Sequence, residues 1–203
     1  MLDQFTKNLL DPPLLALAKI LRKFSITANQ LSAFGLVISL WLGFTIYQGN
    51  FHLAMILILI NRLTDGLDGF LARLAGKKTT LGGFIDISND YVFYGIVPLA
   101  FAFYQPSINS LPSVILLFGF LMTAVSFLAS ALVHEHRASK KNTFQKSKGF
   151  FYSFGIMEGT ETIVFFLLCC LLPNEYAWMA LVVAMICILT AFLRFINILR
   201  RYG

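Results

Sequence analysis

The chain is 203 residues long, enough for one domain, with 58% apolar residues, 13% charged residues and 21 phenylalanines. That mix excludes an ordinary water-soluble domain, and the recurring uncharged stretches read as membrane-spanning helices. The formal charge of +6 does not point to nucleic acid, because the basic residues are distributed in a pattern of their own.

In chain order, segment 3–23 mixes Leu9, Leu10, Leu14, Leu15, Leu17, Ile20 and Leu21 with Asp3, Lys7, Lys19 and Arg22. It reads as an amphipathic helix lying on the membrane, interrupted at Pro12-Pro13. No cleaved signal peptide is expected there. The first span runs over 29–47, with Ser25 or Thr27 as its cap, and the second and third over 52–75 and 82–104. The fourth span covers 112–133, a basic loop 134–148, and the last two spans 149–172 and 176–199. The expected fold is an all-α integral membrane domain with six transmembrane helices: 1–24 form the interfacial segment and 25–203 the bundle.

Lys and Arg fall at Lys19, Arg22 and Lys23, at Lys77 and Lys78, within 137–148, and at Arg200 and Arg201. The intervening connections 48–50, 105–112 and 173–176 have none. This alternation places both termini and the basic loops on the cytoplasmic side, where they suit anionic lipid headgroups. Cys169, Cys170 and Cys187 sit in apolar runs without metal-ligand spacing and read as small core residues.

Four carboxylates, Asp65, Asp68, Asp86 and Asp90, break the apolar pattern of the second and third spans. Each costs about 2.5–3.5 kcal/mol at mid-bilayer, so intramembrane carboxylates mark function by default. Asp65, Asp68 and Ala72 share one helix face; Gly82, Asp86 and Asp90 share another. Asp65 with Asp90, and Asp68 with Asp86, lie about equally far from a turn at Lys77-Lys78. An antiparallel hairpin, close-packed through Ala72 and Gly82, therefore predicts a four-carboxylate cage. Such a cage needs counter-charge, and oxygen-only donors suit hard divalent ions that clamp phosphate oxygens. Arg73 supplies a guanidinium suited to a diphosphate.

The pattern Asp65-x2-Asp68-Gly69-x2-Ala72-Arg73-x8-Gly82-x3-Asp86-x3-Asp90 fixes eight residues over 26 positions. It resembles the signature of the CDP-alcohol phosphotransferases at every fixed position. Residues 26–30, Ile-Thr-Ala-Asn-Gln, are similar to that family's T-P-N stretch, with Ala28 where Pro is common. The resemblance implies transfer of a phosphatidyl group from CDP-diacylglycerol to a small alcohol, releasing CMP, in phospholipid biosynthesis. It implies one or two Mg²⁺ or Mn²⁺ ions on Asp65, Asp68, Asp86 and Asp90, with Asp90 also the general base. Gly69 would leave room for the nucleotide, Arg73 would hold the diphosphate, and Gly82, Thr79 and Asn29 would line the cytidine pocket. The resemblance implies a homodimer as well; small size and the lack of a targeting sequence suggest a bacterial inner membrane, with the active site on the cytoplasmic side given by the charge pattern.

The acceptor is open. Gly159 and Thr162 stand where relatives using phosphorylated inositol carry arginines, which disfavours that acceptor. Lys146, Lys148 and Arg194 keep a phosphate site, and hence a phosphatidylglycerophosphate-type synthase, in play. Glu158 and Glu161 lie in the fifth span either for the acceptor or for helix packing around Gly155 and Gly159. His134 and His136 read as a solvated helix end. Outside the class, a membrane divalent-cation transporter also buries carboxylates, but does not require Gly69 and Arg73 at fixed spacing.

Overall fold

In the computed structural model, the described residues are 2–76, 79–140 and 159–202. Every regular element among them is helical: α1 (Leu2–Lys23), α2 (Ala28–Tyr47), α3 (Phe51–Leu74), α4 (Thr80–Tyr104), α5 (Pro106–Lys140), α6 (Gly159–Leu171) and α7 (Tyr176–Tyr202). A single 3-10 turn, Pro173–Glu175, joins α6 to α7. The sequence expectations at Lys77, Lys78, Lys146, Lys148 and Glu158 lie outside the described residues, as do the side chains of His134 and His136.

Local chemistry explains the boundaries. Thr27 caps α2 in a reciprocal box: its hydroxyl accepts from the Gln30 amide at 3.3 Å, and the Gln30 side chain accepts from the Thr27 amide at 3.0 Å. Ser25, the other expected cap, instead turns the chain at a φ of 60°. Gly49, at a φ of 75°, permits the sharp turn into α3, which Asn50 caps.

Two expected boundaries are corrected. Pro12-Pro13 do not interrupt α1, which continues through them. Leu14, Leu15, Leu17 and Leu21 pack with Leu67, Phe70 and Leu71 of α3, and this burial offsets the hydrogen bonds proline removes. Helix α5 starts at Pro106 and runs to Lys140, past both ends of the expected span. At 1.5 Å per residue it is about 50 Å long, well beyond the roughly 30 Å of hydrocarbon. Hydropathy marks where the apolar stretch ends, and the backbone need not stop there.

Among the described residues, three helical stretches are long and apolar enough to cross a bilayer: Ala28–Tyr47, Pro106–Val133 and Pro173–Arg200. Trp41, Phe44, Leu111, Val125, Met185 and Phe192 are exposed on them. Large apolar side chains on the outside suit a lipid solvent, and the chain is a membrane protein.

Inside, Leu42 and Ile46 of α2, Ile58 of α3, Phe93, Val97 and Phe101 of α4, and Phe166 of α6 form one fully buried core with Tyr176 and Ala184 of α7. The three cysteines are free and buried in it, as expected. Helices α5 and α7 form the most extensive helix pair among the described residues, and a Cβ on Gly119 would lie 3.0 Å from the Ala184 carbonyl oxygen.

One packing feature departs from expectation. Helix α2 packs extensively against both α3 and α4, whereas α3 and α4 share no extensive interface among the described residues. A Cβ on Gly82 would touch only the Thr79 hydroxyl, at 3.1 Å, and no described atom of α3. The close approach at Ala72 and Gly82 is therefore not formed. Helix α2 lies along both neighbours, and long side chains bridge the space between them.

Candidate active site

That space holds a small open cleft, lined by Ser32 and Gly35 of α2, Asn61, Arg62, Thr64, Asp65 and Asp68 of α3, and Asn89 of α4. Its polar groups are fastened to one another. The Ser32 hydroxyl donates to Asp68 Oδ2 at 2.6 Å, the short contact expected when the acceptor is a carboxylate. Asn89 Nδ2 donates to the Ser32 carbonyl at 2.9 Å, tying α4 to α2. Asn61 Nδ2 donates to the Gly35 carbonyl at 2.8 Å and to Ser39 Oγ at 2.9 Å. These bonds explain how polar side chains are held within otherwise apolar helices.

Arg62 joins the carboxylates. Its Nη1 donates to Asp90 Oδ1 at 2.8 Å and lies 3.7 Å from Asp65 Oδ2. Asp65 and Asp68 thus line the cleft, Asp90 meets it through Arg62, and Asp86 is exposed on α4. The charges of Asp68, Asp86 and Asp90 all act on Asp65.

The donor set is all oxygen, which fits a hard divalent cation. Among the described residues, however, no three His, Cys, Asp or Glu side chains converge as a formed metal centre. Among the described residues the four carboxylates do not meet as one cluster; Asp65 and Asp90 instead flank the Arg62 guanidinium. Helices α3 and α4 share no extensive interface among the described residues, and Arg62 of α3 reaches Asp90 of α4 across the gap.

The remaining expected positions are dispersed. A Cβ at Gly69 would meet nothing within 4 Å, so the space beside it is open. Thr79 caps α4 by accepting from the Gly82 amide at 3.0 Å. Arg73 is exposed in the last turn of α3, its guanidinium carbon 4.2 Å from the Phe70 ring centroid. Asn29 is exposed in the first turn of α2, and neither it nor Arg73, Thr79 or Gly82 lines the cleft. Arg194 is buried against α5, where Nη1 donates to the Thr123 carbonyl at 3.1 Å. Glu161 is half-buried in the first turn of α6. That turn begins near Tyr94, whose hydroxyl would be 3.5 Å from a Cβ on Gly159.

Arg62, Ser32, Asn61 and Asn89 were absent from the sequence expectations. Arg62 carries a usable signal, a charge one helical turn before Asp65 within an apolar run. The other three are single polar residues whose partners only the packing supplies.

Comparison with known proteins agrees with the motif. A family model described as CDP-alcohol phosphatidyltransferase matches residues 25–190. The chain is 40% identical over 195 residues to the inner membrane protein YnjF of Escherichia coli, covering 96% of this chain and 93% of that protein. Shorter stretches are similar to an archaetidylinositol phosphate synthase of Pyrococcus horikoshii, 37% identical over 41% of this chain and 47% of that protein. A phosphatidylcholine synthase of Borreliella burgdorferi is 29% identical over 46% of this chain and 42% of its own length. With the family model covering most of its length and a relative aligned almost end to end, this chain belongs to the CDP-alcohol phosphatidyltransferase family.

Proposed function

We propose that the protein transfers a phosphatidyl group from CDP-diacylglycerol to the hydroxyl of a small alcohol, releasing CMP. The observation that carries this reading is the grouping of Asp65 and Asp90 about Arg62, with Asp68 lining the same cleft and open space at Gly69, within a family of such transferases. The donor would enter between α3 and α4, with its nucleotide against Gly69 and its diphosphate toward Arg73. Asp90 takes the proton of the acceptor hydroxyl as the oxygen attacks the lipid-linked phosphorus. The bond from that phosphorus to the CMP oxygen breaks, and CMP departs.

Asp65, Asp68, Asp86 and Asp90 would hold one or two divalent ions, Mg²⁺ or Mn²⁺. Bound there, the ions would supply positive charge to the phosphoryl and leaving-group oxygens. Gly82, Thr79 and Asn29 would need to meet the cytidine from the rim of the cleft.

In the same reading α2 to α7 are the six spans, α1 lies at the interface, and the basic connections face the cytoplasm of a bacterial inner membrane. A homodimer is part of the proposal. Two relatives carry names that specify different products, and each matches less than half of this chain, so the acceptor stays a small alcohol of open identity.

Purified protein in lipid, given CDP-diacylglycerol and Mg²⁺ or Mn²⁺, is assayed for CMP release with glycerol 3-phosphate, inositol, inositol phosphate, serine, glycerol or choline. One alcohol should stimulate metal-dependent release, and Asp90→Asn should lower it by about 10²- to 10⁴-fold. Failure to bind CDP-diacylglycerol while binding divalent ions would refute the transferase and favour cation transport.

A further inference from the structure

Arg62 belongs to no fixed position of the family pattern given above, yet it is the most restrained cation at the site. One edge of its guanidinium is fastened to Asn61, whose Oδ1 accepts from Nε at 3.1 Å and from Nη2 at 2.6 Å. Asn61 is itself held by the Gly35 carbonyl and Ser39. The guanidinium carbon stands 3.9 Å from the centroid of the fully buried Phe93 ring. The remaining nitrogen, Nη1, reaches Asp90 at 2.8 Å and Asp65 at 3.7 Å.

We infer that Arg62 is a positioning residue, a built-in counter-charge that fixes the Asp90 carboxylate against Asp65 and competes with divalent cations for the same oxygens. Three features carry this. A planar fork held on one edge presents its other edge in a fixed orientation, which a flexible ammonium does not do. The Phe93 face blocks displacement of the guanidinium toward the core. The charge sits closer to Asp90 than to Asp65, so the carboxylate proposed as the base is the one held by the hydrogen bond. The inference rests on the phosphatidyl-transfer reading for its kinetic consequence, but its electrostatic consequence stands without it.

Two variants separate charge from orientation. Arg62→Gln removes both, whereas Arg62→Lys keeps the charge and loses the fork; the lysine variant also guards against a collapse of the fold. Mn²⁺ binding is titrated calorimetrically on the full chain in lipid nanodiscs without substrate, and CMP release is measured in parallel. Arg62→Gln should bind Mn²⁺ on the order of tenfold more tightly, because a positive charge about 4 Å from the ligands has gone. Arg62→Lys should bind Mn²⁺ within about threefold of the unsubstituted protein. Both should lose roughly 10- to 100-fold in kcat, the scale of a displaced reacting group, with donor KM changed by less than about threefold.

Unchanged or weaker Mn²⁺ binding in Arg62→Gln, or full kcat in Arg62→Lys, would overturn the inference. A shared fall in melting temperature, donor affinity and kcat would also overturn it, showing a structural role alone. Absence of CMP release from the unsubstituted protein would instead refute the proposed function, and the Mn²⁺ titration would then decide the role of Arg62 by itself.

Discussion

Gly69→Ala pits two effects of opposite sign against each other. Gly69 lies inside α3, directly after Asp68, and an added Cβ would meet no atom within 4 Å. The folded chain therefore accommodates the methyl without a clash. Alanine is favoured over glycine in a helix interior by about 0.8–1 kcal/mol, so the variant should be the more stable protein by roughly that amount. The same methyl enters the space assigned to the nucleotide. Forcing a methyl into a packed contact costs about 1–3 kcal/mol. That corresponds to a donor KM raised roughly 5- to 150-fold. Thermal melts in nanodiscs without donor report the first effect, and CMP release against CDP-diacylglycerol concentration reports the second. Gly95→Ala on α4, where a Cβ likewise meets nothing within 4 Å, serves as the control: a comparable stability gain with KM unchanged. Gly69→Ala that melts higher and keeps the original KM would show that the donor does not occupy this space. A lower melting temperature would refute the helical argument itself.

The Ser32 hydroxyl orients Asp68 at 2.6 Å, so Ser32→Ala should raise the Mn²⁺ concentration for half-maximal CMP release by about 10- to 100-fold, the usual effect of removing a partner of a metal-binding carboxylate. An unchanged metal dependence would remove Asp68 from the proposed ligand set. Gly119→Val places a branched side chain against the Ala184 backbone and should destabilise the α5–α7 contact by about 1–3 kcal/mol, seen as a lower melting temperature with kcat per folded molecule retained. The buried Ser113 and Tyr176 hydroxyls bond at 2.7 Å, so Tyr176→Phe should cost about 1–3 kcal/mol by leaving Ser113 unpaired. The double variant Tyr176→Phe with Ser113→Ala should recover most of that loss in chemical denaturation; no recovery would show that the loss does not come from an unpaired Ser113 hydroxyl.

What was legible in the sequence follows from which interactions are local. The Thr27 cap depends on residues three apart, and the faces of α3 and α4 depend on helical periodicity, so both can be read from order alone. The carboxylates could be read because charge within an apolar run is expensive wherever it ends up. Distance between helices is a different quantity. Periodicity aligned Asp65 with Asp90 in depth, but could not reveal that α2 would pack along both helices and leave a cleft between them. Nor could order alone pair Asn89 with the Ser32 carbonyl, 57 residues away, or deliver Asp90 to Arg62 across 28.

The misplaced detail bears directly on which chemistry the site supports. A hairpin closed through Ala72 and Gly82 would bring the four carboxylates together. In the observed arrangement α3 and α4 share no extensive interface among the described residues. A Cβ at Gly35 would lie 3.2 Å from Thr64 Oγ1, so glycine there lets α2 settle close against α3 while Asn89 ties α4 to the same helix. Helix α2 thus acts as a common support for two carboxylate-bearing helices that do not close on each other. The proposed transfer between two substrates requires room beside the acids for both a donor phosphorus and an acceptor hydroxyl. Cation passage requires only the acids. The open face at Gly69, on the same helix as Asp65 and Asp68, is consistent with the proposed group transfer.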